Sequence, residues 1–138
     1  MAHEFISIKA QRLRLRDCDL WVIRHFLITA CDHLRETHSS VVELEKQLHS
    51  WGWLCPGVMS NTDLTDCLGE NSERKMALQG AVQEAQRCLA LHGESIEASY
   101  LNEHCHSESM IQWLAPLPVA VLQEPLRKIG DMVDNYES

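Results

Sequence analysis

The chain has no apolar run long enough to cross a membrane: its longest, FLITAC and LAPLPVAVL, fall far short of the ~20 residues a spanning helix needs. It has no Cys-x-x-Cys pair, Gly-x-Ser-x-Gly elbow, glycine-rich phosphate loop or His-Glu-x-x-His, so the common signatures of zinc ribbons, serine hydrolases, nucleotide binders and zinc proteases are missing. The N-terminal MAHEFISIKAQ lacks the apolar core of an export signal, so a cytoplasmic location and reduced cysteines are expected. Basic residues are also scarce, 12 against 20 acidic, and a formal charge of −8 repels phosphate backbones and argues against nucleic acid as a partner. Aromatics are few at 6%, yet four are tryptophan, so their positions matter.

What is present suits a folded protein. Hydrophobic residues make up 45% of 138, which supports one domain over residues 1–138 with a core of its own. Periodicity predicts an irregular all-α bundle of six or seven helices. A helix over 18–37 follows from Asp17 as cap and the stripe Leu20, Ile23, Leu27, Ala30, Cys31, Leu34. A second follows the Ser40/Glu43 capping box and ends near Gly52. A short one is expected within 61–68, and a long one from Ser72 to Gly93 carries Ala77, Ala81 and Ala85 as a ridge of small side chains. Shorter helices are expected from Ser95 to Glu103 and from Ser107 through Leu114. The last segment places Val119, Leu122, Leu126, Ile129, Val133 and Tyr136 at a/d spacing, with a kink or fresh start near Glu124 caused by Pro125.

Residues 5–16 fit two patterns. Ile6, Ile8, Leu13 and Leu15 alternate like a strand with a one-residue slip, whereas Ile6, Ala10 and Leu13 share a helix face; helix is the preferred reading.

The six cysteines are scattered and several lie in apolar patterns, so most are read as small core side chains. Cys88 and His92 at i, i+4 share a helix face and could hold a metal, but adjacent His104, Cys105 and His106 point in different directions. No metal, cofactor or catalytic residue is therefore expected. The carboxylate pairs Asp63/Asp66 and Asp131/Asp134 have the three-residue spacing used by Mg²⁺-dependent all-α enzymes, which keeps such an enzyme as an alternative.

Charge distribution points elsewhere. Residues 1–35 hold six basic and four acidic side chains, and the rest of the chain six against sixteen. Between Cys88 and Leu126 there is no Lys or Arg, while Glu94, Glu97, Glu103 and Glu108 are all present. A one-signed surface steers an oppositely charged partner, and Trp51 and Trp53, flanking Gly52, are candidate anchors. The function expected is a small acidic protein-binding module that inhibits or escorts a partner with a basic surface, in the manner of an immunity protein, antitoxin-like inhibitor or chaperone. A structural or regulatory homodimer is the other alternative, with its contact expected away from the C-terminal seam.

Overall fold

The computed structural model describes residues 4–9, 11–15, 19–37, 41–50, 60–63, 65–68, 72–105 and 112–136. In chain order the elements are β1 (Glu4–Ile8), β2 (Gln11–Leu15), α1 (Asp19–Leu34), α2 (Val41–Ser50), β3 (Ser60–Asp63), α3 (Thr65–Leu68), α4 (Ser72–Ala90), β4 (Ser95–Ile96), α5 (Ala98–His104), β5 (Leu117–Pro118) and α6 (Val119–Asp134). The protein is mostly helical, but the all-α bundle of six or seven helices does not hold. Two small sheets are present, and the described helices of seven residues or more number five, with α3 a single turn.

Where a helix was preferred for residues 5–16, the described part is two paired strands, Glu4–Ile8 and Gln11–Leu15. β1 and β2 pair antiparallel with Ile6 opposite Leu13 and Ile8 opposite Gln11, and Ile6, Ile8 and Leu15 are buried. The slip in the alternation is the two-residue connection Lys9-Ala10, where Lys9 adopts φ 53°, the left-handed conformation that tight hairpins use. β1 is also the centre of the sheet, since β3 joins its other edge in parallel from Glu4↔Ser60 to Ser7↔Asp63. That strand overturns the single helix expected within 61–68, of which only the turn Thr65–Leu68 remains. The hairpin tip is tied down twice: the Lys9 amide donates to Thr65 Oγ1 at 2.8 Å, and its ammonium lies 4.8 Å above the Tyr136 ring.

α4 is the central helix, packed on one side by α1 and on another by α6. Its Ala77, Ala81 and Ala85 are buried, as the small-residue ridge requires. The close approach extends to Gly130 of α6, where a Cβ would stand 3.4 Å from Val82 Cγ1. α4 ends on three bonds of the i→i+3 type, to the amides of Leu91, His92 and Gly93, with Gly93 at φ +79° supplying the left-handed residue. Gly80 differs, because it sits in the helix interior with ordinary space, a Cβ meeting only Leu34 Cδ1 at 3.5 Å. Gly80→Ala is therefore expected to stabilise the fold by about 0.5–1 kcal/mol and raise Tm by about 3 °C, read by thermal unfolding.

α6 starts after Pro118 and runs through Pro125, so of the kink or fresh start expected near Glu124 the fresh start does not occur. Its Val119, Leu122, Leu126, Ile129, Val133 and the following Tyr136 are buried inside the same chain. The helix expected through Leu114 is absent over 112–116, and its start at Ser107 lies outside the described residues. The helix expected from Ser95 begins instead at Ala98, because Ser95 and Ile96 pair with β5. Among the described residues no helix is long and apolar enough to cross a membrane.

Candidate functional site

Of the residues expected to meet a partner, Glu94 lies in the turn after α4, Glu97 is the residue that precedes α5, and Glu103 is on α5; all three are exposed. Glu108, Trp51 and Trp53 lie outside the described residues. Two apolar side chains accompany these glutamates that charge and tryptophan placement did not single out. Leu91 is 74% exposed and Leu114 89% exposed. The antiparallel β4–β5 pair and the bond from the Val119 amide to the Glu94 carbonyl, 2.9 Å, join the two segments that carry them. Asn102 on α5 closes the excursion further, its Nδ2 donating to the Trp113 carbonyl at 3.0 Å and its Oδ1 accepting from the Trp113 amide at 2.6 Å.

Beneath α5 lies a knot of rings. His25 and Phe26 of α1, His92 after α4, and Tyr100 and His104 of α5 form it, with centroids 4.5 Å apart for His92 and Tyr100 and 4.4 Å for Tyr100 and His104. His25 Nε2 shares a 2.8 Å hydrogen bond with the Tyr100 hydroxyl and stacks at 5.4 Å on His104. Burial, then the neighbouring His104, His92 and Arg24, pushes the His25 pKa down to about 4. Burial lowers the pKa of His92 as well, and raises that of Tyr100. Cys105, buried next to this knot, is pushed up to about 12, so it is an inert thiol. Its burial fits the core reading, as does that of Cys31.

The structure pairs Cys88 with side chains other than His92, its neighbour on the same helix face. α1 and α4 run antiparallel, which places His92 against Phe26 and Cys88 against His33, in the last turn of α1. Cys88 Sγ lies 3.7 Å from His33 Nδ1 and 3.8 Å from Glu84 Oε1, and those two atoms are 3.6 Å apart. Glu84 also accepts from Arg87 Nε at 2.5 Å and pairs with its Nη2, and the Arg87 hydrogen bond is the main reason that its carboxyl is held below its ordinary range. The Cys88 thiol is pushed up by burial and by the Glu84 charge. Among the described residues this is the sole group of three His, Cys, Asp or Glu side chains with ligand atoms mutually within 4.8 Å.

The two carboxylate pairs considered for Mg²⁺ sit in different settings. Asp63 ends a strand and Asp66 belongs to the following turn, so the two do not share one helix. Asp131 is bonded to Arg127 at 3.1 Å and Asp134 to Gln79 at 2.8 Å, both exposed. Compared with protein-family models, curated proteins and solved structures, the chain matches none.

Proposed function

We propose that this chain is a protein-binding module that captures a partner with a basic surface and acts by occlusion, blocking or escorting what it holds. The observation that supports this reading is the exposure of Glu94, Glu97 and Glu103 on a stretch that has no Lys or Arg between Cys88 and Leu126. Exposed carboxylates raise the rate of encounter with a cationic surface. Exposed Leu91 and Leu114 add apolar area beside them, and desolvated apolar contact is what retains a partner once charge has steered it.

The test compares wild type with the triple variant Glu94→Gln, Glu97→Gln, Glu103→Gln. A partner recovered on wild-type protein is expected to associate at least about tenfold more slowly with the variant at low salt, with the difference shrinking as ionic strength rises. The variant should keep the wild-type circular dichroism, since none of the three side chains is buried. Equal on-rates for both proteins, independent of salt, would sink the steering mechanism.

A further inference from the structure

We propose that His33, Glu84 and Cys88 form a binding site for a divalent ion of the zinc class. The two sulfur contacts, at 3.7 and 3.8 Å, are long hydrogen bonds of a weak donor. An N···O separation of 3.6 Å between His33 Nδ1 and Glu84 Oε1 exceeds the ~2.7–3.2 Å of a good bond. The same three atoms are well explained as corners of a coordination tetrahedron. Zinc bonds of about 2.0–2.1 Å to nitrogen, 2.0–2.2 Å to oxygen and 2.3 Å to sulfur imply edges of about 3.4 Å between N and O and about 3.5–3.6 Å from S to either. The observed edges are 3.6, 3.7 and 3.8 Å, so an ion need draw each pair together by only about 0.2 Å.

The supports are rigid. Glu84 and Cys88 stand one turn apart on the central helix, and His33 is delivered by the helix packed against it. With the thiol proton released on binding, thiolate and carboxylate offset a dication's charge and the Arg87 guanidinium on the same Glu84 oxygen leaves the site cationic; thiolate, imidazole and carboxylate are donor types that zinc accepts. Arg87 fixes Glu84 through Oε1, the same oxygen that faces His33 and Cys88. The His33 side chain is 46% exposed and that of Glu84 18%, so the fourth corner opens towards solvent and is available to water or an incoming ligand. Three protein ligands with one open position is the arrangement of reactive zinc centres, whereas structural ones are closed by four.

Cobalt is the probe, because tetrahedral Co²⁺ has visible d–d bands and a cobalt-bound thiolate adds a near-ultraviolet charge-transfer band. One equivalent of Co²⁺ added to the reduced, full chain without oxygen is expected to develop both, and one equivalent of Zn²⁺ to remove them. Cys88→Ser should abolish the charge-transfer band. His33→Gln, at an exposed position that leaves the core intact, should weaken cobalt binding at least tenfold. His92→Gln should leave the spectrum unchanged. No spectrum in the wild type, a spectrum that survives both Cys88→Ser and His33→Gln, or one lost in His92→Gln would each overturn the site, the last two by placing the ion on other side chains.

Discussion

Ile129→Asp is expected to abolish the folded state. Ile129 is fully buried where α6 meets the rest of the core, inside the helix Val119–Asp134 and more than a turn from either end, so the carboxylate cannot reach water by fraying. The substitution forfeits about 2–3 kcal/mol of apolar transfer and leaves a charge that costs several more kcal/mol to bury unpaired. Together these approach the ~5–15 kcal/mol that keeps a domain of this size folded. Far-ultraviolet circular dichroism and sedimentation velocity check the result. Gln123→Asp, exposed on the same helix, is the matched control and should change stability by no more than about 0.5 kcal/mol. A well-folded monomer from Ile129→Asp, obtained where wild type is dimeric, would mean that this face of α6 joins two copies.

The second large effect is acid sensitivity. The His25 pKa stands at about 4, below the ~6.5 of an unfolded chain. Between those values the unfolded chain binds the extra proton, so stability is fully present above about pH 6.5 and is lost as pH falls towards 4. Allowing for its partial access to solvent, His25 accounts for a loss of about 1–3 kcal/mol. The lowered His92 pKa acts in the same direction. Denaturant unfolding at a series of pH values should show this slope, and His25→Gln, which keeps a partner for the Tyr100 hydroxyl without titrating, should flatten it. An NMR titration placing His25 near 6.5 would contradict the prediction.

Legibility in the sequence followed the range of the forces involved. α1, α4 and α6 announce themselves because each repeats a buried stripe over four turns or more, and the αL stop at Gly93 needs only local chemistry. The hairpin was ambiguous because strands of five residues are too short to separate a period of 2 from one of 3.6. β3 was invisible: its sequence is Ser-Asn-Thr-Asp, which has no apolar alternation, and it is a strand because β1 offers it an edge. The same limit governed the cysteine site. Cys88 was singled out for its neighbour one turn ahead, His92, yet Glu84 stands one turn behind at an equal interval, and only the antiparallel docking of α1 decides between them. The exposed Leu91 and Leu114 were read as ordinary helix residues, although each falls in a connection.

The place of β1 in its sheet sets a timetable. Its pairing with β2 can form within about 1–10 μs, as hairpins do, but its other edge waits for a strand whose first residue, Ser60, pairs with Glu4. At roughly 5–20 residues per second, a ribosome needs about 3–11 s to travel between those positions. For that interval the hairpin carries an open edge beside the apolar Ile6 and Ile8, which is the kind of surface on which nascent chains adhere to one another. Formation of α1 and α2 in the meantime shortens the gap to be closed, and closure entropy rises by only about 0.6 kcal/mol per doubling of length. Sheet completion, rather than helix formation, is therefore the step at which this chain is most exposed to a chaperone or to its own copies.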